Sequence, residues 1–262
     1  MAITDPLALQ VLAIAKEAGD KIMEIYDRDF AIYEKQDTSP LTEADLAAHK
    51  SIVAGLEAIS ELPILSEESA DISWEERKTW DKYWLVDPLD GTKEFIKKNG
   101  EFTVNIALID GGKPIMGVVY APALSKSYVG IVGQGAWTET AAGVNPISAK
   151  PHQPGELWKV VGSRSHQSPE IQNLLAQLEG ETELVAMGSS LKLCLVAEGE
   201  AHLYPRLGPT SEWDTGAAHA VALAAGADVT VLDADDPLNS DAEALTYNQK
   251  ESVLNPYFLV SA

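Results

Sequence analysis

A short apolar run that ends in two carboxylates is the feature that most constrains how this 262-residue chain can fold. Residues 83–86 (Tyr-Trp-Leu-Val) are apolar and predict a buried strand. Asp87 and Asp90 follow at once, on either side of Pro88. We therefore expect both acids to leave a sheet at its carboxyl edge, where a proline-bent connection turns them toward one point. Because clustered carboxylates repel each other unless a cation lies between them, the pattern predicts a site for a hard divalent metal ion.

The two residues after Asp90 suit a phosphate group. Gly91 lets backbone N–H groups approach an anion closely, and Thr92 supplies a hydroxyl. The alternative is an ordinary capped turn between a strand and a helix, since Asp, Pro, Gly and Thr are common turn residues. For an isolated Asp-x-x-Asp the two interpretations have similar weight, so other segments must decide between them.

Charge excludes several classes of partner. The chain has 19 basic and 40 acidic residues, and its net charge of -21 repels nucleic acid and anionic membranes. An anionic substrate must then be small, and it must be neutralised locally by metal and by nearby cations. The candidate cations are Lys93, Lys97, Lys98, Arg164, Lys192 and Arg206.

Cys194 is the only cysteine, which excludes a disulfide framework and a Cys/His zinc cluster. The apolar runs are too short to cross a bilayer, and residues 1–5 contain no signal sequence core. We expect a cytoplasmic protein with no transmembrane segment and at most a peripheral association with the inner membrane.

The pattern of predicted secondary structure changes near the middle of the chain. An amphipathic helix follows Asp5-Pro6, and a second begins near Thr42 with Leu46, Val53, Leu56 and Ile59 as its apolar residues. Residues 102–132 read as an antiparallel meander, and strands and helices alternate from about residue 157. The chain is therefore predicted to be an α/β (α+β) protein of two layered halves, residues 1–155 and 156–262.

Three further acids stand at element boundaries. Asp45 lies early in the second helix, Glu67 follows the strand-like residues 63–66, and Asp214 opens an alanine-rich helix. Each has a structural alternative. Residues 42–45 and 211–214 both fit a capping box, and Glu67 could belong to a solvated loop.

Taken together, the order of Asp45, residues 66–69, residues 87–92 and Trp213-Asp214 resembles the lithium-sensitive, magnesium-dependent phosphomonoesterases of the inositol monophosphatase superfamily. Within it, the chain most resembles the bacterial 3'(2'),5'-bisphosphate nucleotidases, over nearly its whole length. Further segments carry that likeness: residues 93–97, 100–105, 163–166, 188–192 and 203–206. The resemblance implies a layered α/β/α/β/α sandwich. It also implies magnesium-dependent removal of the 3'-phosphate of adenosine 3',5'-bisphosphate (PAP), with PAPS as a second substrate, in sulfur assimilation or PAP recycling.

The resemblance also assigns roles. It gives two or three Mg²⁺ ions to Glu67, Asp87, Asp90, Asp214 and the carbonyl of Leu89. Asp45 and Thr92 would orient and deprotonate the attacking water, with Glu67 assisting, and the backbone N–H groups of Gly91 and Thr92 would hold the phosphate. The nucleoside and its second phosphate would contact Lys93, Ser163, Arg164, Ser165, His166, Ser189, Lys192, Tyr204 and Arg206. For the serines and His166, helix capping or a plain loop position is an equally good interpretation.

One segment departs from the family pattern. The family commonly has Thr-Ala-Ala-Gly after its Trp-Asp, whereas residues 215–218 here read Thr-Gly-Ala-Ala. The glycine lies two positions earlier, and this shift bears on how the helix packs.

Other functions remain open on the sequence alone. Haloacid dehalogenase-type phosphatases carry Asp-x-Asp, but the spacing here is Asp87-x-x-Asp90, which misplaces that family's nucleophile and acid. Inositol monophosphatase or fructose-bisphosphatase activity fits the same fold. A non-catalytic, metal-dependent nucleotide sensor is the third alternative. The sequence leaves open whether the protein is a monomer or a homodimer.

Overall fold

The computed structural model describes residues 2–34, 40–162, 169–233, 236–239 and 241–262. The helices are α1 (Pro6–Tyr26), α2 (Glu43–Ile59), α3 (Trp74–Arg77), α4 (Thr92–Ile96), α5 (Pro169–Gln177), α6 (Leu191–Ala197) and α7 (Glu212–Ala224). The strands are β1 (Ile32–Glu34), β2 (Pro40–Thr42), β3 (Ile64–Ser66), β4 (Lys82–Asp90), β5 (Thr103–Asp110), β6 (Lys113–Ala121), β7 (Lys126–Ile131), β8 (Gly135–Thr140), β9 (Gly143–Ile147), β10 (Trp158–Gly162), β11 (Thr182–Ala186), β12 (Leu203–Arg206), β13 (Asp228–Val231) and β14 (Phe258–Ser261).

Two large sheets form alternate layers with the helices. The first sheet has the order β3-β4-β5-β6-β7-β8-β9, and the second has the order β11-β10-β12-β14-β13. Helices α1 and α2 cover one face of the first sheet, α6 and α7 lie between the sheets, and α5 covers the outer face of the second. This is the α/β/α/β/α sandwich, so the predicted fold class is confirmed. The two sheets fall on either side of residue 155, but one hydrophobic core joins their facing sides, and the division into two domains stays a prediction.

The central strands are buried on both faces. In β5, Val104, Ile106 and Leu108 pack with α1 and α2, whereas Ala107 and Ile109 face the layer of α6 and α7. A strand covered on both sides reads as a nearly continuous apolar run. The same alternation places Trp84 and Val86 of β4 toward α1 and α2, and Tyr83 and Leu85 toward the layer of α6 and α7.

The predicted apolar face of α2 is only partly confirmed, since Leu56 is buried and Ile59 packs against the core. Leu46 is 38% exposed, while the buried side carries Ala48, Ile52 and Leu56 together with Asp45. The prediction omitted Ile52 and the alanines at 44 and 48, which are buried where α2 packs against α1. As a result, the carboxylate of Asp45 points into the protein.

Five strands were missed by the sequence analysis, namely β1, β2, β8, β9 and β14. Strand β9 is the exposed edge of its sheet, so it has no alternating apolar pattern to detect. Strand β14 has only four residues and inserts between β12 and β13. Such a long-range pairing leaves little trace in a local pattern.

A pair of glycines brings α7 close to the first sheet. Gly117 of β6 lies opposite Gly130 of β7. A β-carbon on Gly117 would lie 2.1 Å from the carbonyl oxygen of Ala217, and one on Gly130 would lie 2.4 Å from the Cα atom of Val221. The helix contributes Gly216, whose added β-carbon would lie 2.8 Å from Leu85 Cδ2. The shifted glycine therefore fits this close packing, which also fixes the distance of Asp214 from the sheet.

Replacing Gly117 with alanine should destabilise the protein by about 3 kcal/mol, at the upper end of overpacking costs, because the backbone of α7 blocks the new methyl group. The unfolding free energy from urea titration measures this. The matched control is Gly162→Ala, also in a strand, where a β-carbon meets only Leu184 Cδ2 at 3.4 Å. Equal stability of the two variants would contradict the proposed close contact.

Among the residues that the structure describes, no helix combines the length and apolar character needed to cross a bilayer.

Candidate active site

An irregularity in β4 places two carboxylates on the same side of the sheet. Asp87 pairs with Asn105 of β5 and Asp90 pairs with Thr103, so three steps along β4 match two along β5. Side chains alternate along a regular strand, and residues three apart would face opposite sides. One extra residue in β4, in a β-bulge at Pro88 and Leu89, shifts the alternation so that Asp87 and Asp90 face the same side. The strand thus continues to Asp90, and the predicted end at Val86 is wrong.

Asp214, at the start of α7, completes the cluster. One carboxylate oxygen from each of Asp87, Asp90 and Asp214 lies within 4.8 Å of the others. Backbone N–H groups hold each acid: Leu89 donates to Asp87 Oδ1 (3.0 Å), Ser190 to Asp90 Oδ2 (2.6 Å) and Ser211 to Asp214 Oδ2 (2.8 Å). The aspartates are therefore fixed before any ion binds.

The electrostatics of this cluster are unfavourable without a cation. Burial, and then the charges of Glu67, Asp90 and Asp214, raise the pKa of Asp87 well above its ordinary value. Burial and Asp90 raise the pKa of Asp214 to about 7, while the Ser211 N–H and Arg206 oppose that rise. A divalent cation would relieve this repulsion, and a donor set made only of carboxylate oxygens fits a hard ion.

Glu67 and Leu89 lie beside the three aspartates. Glu67 begins the 3₁₀ turn Glu67–Ser69 directly after β3, and it is close enough to hydrogen bond to Asp87. Leu89 lies in the bulge, and its carbonyl oxygen is 3.4 Å from Thr92 Oγ1. The structure thus brings all five predicted metal ligands into one region.

Asp45 and Thr92 are in contact. Thr92 Oγ1 donates to Asp45 Oδ1 at 3.3 Å, while Asp45 Oδ2 accepts from Thr42 N (2.8 Å) and Thr42 Oγ1 (2.6 Å). Thr92 is the first residue of α4, after Gly91 at a φ of 91°. A β-carbon on Gly91 would lie 3.1 Å from the carbonyl oxygen of Glu101, so both the dihedral angle and the available space favour glycine.

The structural and functional interpretations of Asp45 and Asp214 are compatible. Asp45 closes a capping box with Thr42 at the start of α2, and Asp214 closes another with Ser211 at the start of α7. In each case one carboxylate oxygen accepts a hydrogen bond from the backbone N–H of the N-cap residue. The helix start thereby fixes the side chain that faces the site.

The N-terminal side of α6 contacts Asp90. Ser189 has a positive φ of 55°, and its Oγ donates to Asp90 Oδ2 at 2.6 Å beside the Ser190 N–H. The left-handed backbone at a non-glycine residue costs about 1 kcal/mol, which these two hydrogen bonds offset. The predicted substrate contact Ser189 therefore also supports a carboxylate.

Sequence reasoning assigned no role to Thr103 and Asn105. Thr103 Oγ1 lies 2.6 Å from Ser189 Oγ and 2.9 Å from Ser190 Oγ, and Ser190 Oγ lies 2.9 Å from Asn105 Oδ1. Both residues are almost completely buried, on the strand face that carries Ala107 further on. Polar residues on an otherwise apolar buried face were the signal that could have revealed them.

A cleft of about 680 Å³ opens at this cluster and suits a small-molecule ligand. Asp90 and Asp214 line it, together with Lys192, Tyr204 and Arg206. Arg206 Nη2 donates to the Pro209 carbonyl at 2.9 Å, whereas its buried Nε has no acceptor among the described residues. The remaining lining includes Gly91, Lys93 and Lys97. The cleft thus has both acidic and basic side chains in its lining.

Four predicted contacts, Ser163, Arg164, Ser165 and His166, lie outside the described residues. They follow Gly162, the last residue of β10, which lines the cleft.

Comparison with known proteins gives consistent results along the chain. The sequence profile of the inositol monophosphatase family matches residues 4–258. The chain is 51% identical over 255 residues to the 3'(2'),5'-bisphosphate nucleotidase CysQ of Salmonella typhimurium, which covers 96% of this chain and 98% of the relative. The CysQ of Escherichia coli K12 has the same identity and coverage. The crystal structure of CysQ from Bacteroides thetaiotaomicron matches with a TM-score of 0.83 and 41% identity, covering 98% of this chain and 97% of that one.

Proposed function

This chain belongs to the inositol monophosphatase family, and from that premise we propose that it is a metal-dependent 3'(2'),5'-bisphosphate nucleotidase. The substrate is PAP, which loses its 3'-phosphate to give AMP, and PAPS is hydrolysed at the same bond. The cell would use this activity to recycle PAP during sulfur assimilation. Mg²⁺ is the proposed metal, in two or three ions per site.

The observation that carries this proposal is the position of the acidic cluster beside a cleft that also contains cations. Asp90 and Asp214 line this cleft together with Lys192 and Arg206. A substrate with one phosphate to be hydrolysed and a second to be recognised needs both features. A substrate with a single phosphate would leave these cations unused.

Glu67, Asp87, Asp90, Asp214 and the Leu89 carbonyl would hold the metal. When bound, the metal neutralises charge on the phosphoryl oxygens and lowers the pKa of water. The protein supplies the remaining steps. Gly91 and Thr92 present backbone N–H groups to the scissile phosphate at the start of α4, which fixes the phosphorus for in-line attack.

Asp45 and Thr92 form the proposed proton path. Thr92 Oγ1 takes a proton from the attacking water as it passes its own proton to Asp45 Oδ1, the acceptor 3.3 Å away. The water oxygen bonds to phosphorus, the bond to the ribose oxygen breaks, and that oxygen takes up a proton. The phosphoryl group is transferred directly to water, so no aspartyl phosphate forms. A non-catalytic sensor would have no use for this pair.

The second phosphate would bind to the cations that line the cleft. Arg206 Nε is a buried donor at the cleft with no acceptor in the part of the chain that the structure describes, and a charged donor of this kind gains most from an ionic acceptor. Lys192 Nζ lies 5.8 Å from the centre of the Tyr204 ring, and Lys93 is exposed at the rim. Ser163 to His166 are proposed contacts on the resemblance alone.

The substrate assignment is tested by removing one phosphate at a time. We expect wild-type kcat/KM for PAP to exceed the value for 3'-AMP by about 10- to 100-fold, as charge-assisted hydrogen bonds are each worth about 1.5–3 kcal/mol. Arg206→Ala should remove most of this preference. Because any indirect effect through Asp214 would change both substrates equally, the ratio isolates recognition of the second phosphate.

The control is Arg28→Ala, which removes an exposed arginine paired with Glu43 and should leave the ratio unchanged. Inositol monophosphate is the third substrate in the panel. Equal wild-type efficiency for PAP and inositol monophosphate would reject the nucleotidase assignment in favour of a general phosphatase of the family.

A further inference from the structure

A buried polar cluster lies directly behind Asp90. It consists of Thr103 and Asn105 on β5 and Ser189 and Ser190 at the start of α6, each no more than 8% exposed. In the pairing of β4 with β5, Thr103 lies opposite Asp90 and Asn105 lies opposite Asp87. Both aspartates therefore have a polar neighbour across the strands, and the cluster reaches Asp90 itself through Ser189.

The direction of the hydrogen bonds follows from counting protons. Five contacts need one proton each: Ser189 to Asp90 (2.6 Å), Thr103 to Ser189 (2.6 Å), Thr103 to Ser190 (2.9 Å), Thr103 to Asn105 (3.1 Å) and Ser190 to Asn105 (2.9 Å). If Asn105 faces the hydroxyls with its oxygen, the three hydroxyl groups supply only three protons. The amide nitrogen is then also buried without an acceptor among the described residues.

Turning the Asn105 amide by 180° removes both problems, because its two ends have nearly the same shape. Its NH₂ group then donates to Thr103 and Ser190, Ser190 donates to Thr103, Thr103 donates to Ser189, and Ser189 donates to Asp90. All five contacts now have a proton. The amide oxygen takes the unpartnered position, which costs less than a buried, unpaired N–H group.

We propose that Thr103 and Asn105 are positioning residues that hold Asp90 for the divalent cation through this directed set of hydrogen bonds. Asp90 Oδ2 accepts from both Ser189 Oγ and Ser190 N, so its lone pairs are used and Oδ1 is the oxygen left for an ion. The set fixes which oxygen binds, and it holds Ser189 in its left-handed conformation. The inference rests on the proposed function only in taking Asp90 as a metal ligand.

The test is the affinity for Mg²⁺ itself, measured by isothermal titration calorimetry on metal-free protein. Thr103→Val keeps the shape of the side chain but removes the donor to Ser189. Mg²⁺ affinity should fall at least about 10-fold, as is typical when a group that orients a metal ligand is lost. Thr103→Ser restores the hydroxyl and should bind Mg²⁺ like the wild type. Thr138→Val is the matched control, since Thr138 is also buried in the first sheet, on the distant strand β8.

A Mg²⁺ affinity of Thr103→Val within twofold of the wild type would overturn the proposal, as would failure of Thr103→Ser to restore binding. If Thr103→Val does not fold, nuclear magnetic resonance of the wild type decides. The Asn105 side-chain amide protons should show Overhauser effects to the β-protons of Thr103 and Ser190, and their absence would also overturn it. Neither readout requires substrate, so a wild type that binds Mg²⁺ but leaves PAP intact would count against the nucleotidase proposal alone.

Discussion

Asp87→Asn should lower kcat/KM by at least about 10³-fold, equivalent to about 4 kcal/mol of transition-state stabilisation, because the metal accounts for several kcal/mol in such reactions. The fold should survive, since asparagine keeps the oxygen that accepts the Leu89 N–H at 3.0 Å. What is lost is one of the negative charges that attract the cation. Asp90→Asn should behave in the same way.

Although Asp87→Asn should lose activity, we expect it to be more stable than the wild type when metal is absent. Burial and the neighbouring acids raise the pKa of Asp87, so the folded protein retains a proton that the unfolded chain releases. The free energy of unfolding of the metal-free wild type should therefore fall as pH rises from about 4 to above 7, the range set by the ordinary aspartate value and the Asp214 pKa of about 7. Asp87→Asn has one ionisable carboxyl group fewer in the cluster, so it loses less unfolding free energy as pH rises. At pH 8 its melting temperature should exceed that of the wild type by at least ~2 °C.

Thermal melts with and without Mg²⁺, alongside steady-state kinetics, measure both effects. Mg²⁺ should raise the melting temperature of the wild type much more than that of Asp87→Asn. Asp110→Asn is a suitable control, since Asp110 lies at the far end of β5 and pairs with Lys82 at 2.9 Å. Near-normal activity in Asp87→Asn would remove Asp87 from the metal site.

Asp45→Asn should lower kcat by about 10²- to 10⁴-fold, the usual contribution of a general base, while Mg²⁺ affinity and KM change little. The amide oxygen can still accept from Thr42, which preserves the start of α2. The amide nitrogen then faces Thr92 and donates to its hydroxyl. The proton path from Thr92 to Asp45 is thereby reversed, and Thr92 has no acceptor for its proton.

Asp5→Asn is the control for this substitution. Asp5 caps α1 by accepting from Ala8 N at 2.9 Å, and asparagine caps equally well, so activity and stability should stay close to wild type. Acid quenching with ³²P-labelled substrate should trap no phosphoprotein. Label on Asp87 or Asp90 would replace direct transfer to water with an aspartyl-phosphate mechanism.

The sequence was informative where local pattern and local chemistry coincide. Helix α1 follows from the Asp5 cap and its apolar periodicity, and strands β5 to β7 follow from alternation and the turns between them. The resemblance to a family rested on motifs that each lie within a few residues, such as residues 87–92. These features depend on neighbours in the chain, which the sequence displays directly.

The candidate site shows where inference from the sequence ends and the tertiary structure is needed. The sequence alone showed that Asp87 and Asp90 follow an apolar run and precede Gly91, and it predicted Asp214 at the start of a helix. Only the tertiary structure decided that Asp87 and Asp90 share a face, because a single extra residue in β4 is defined by its pairing with β5. The depth at which α7 lies, and with it the position of Asp214, depends on two glycines on other strands. The polar cluster behind Asp90 joins residues almost 90 positions apart, and contacts at that separation exist only once both sheets and α6 have packed.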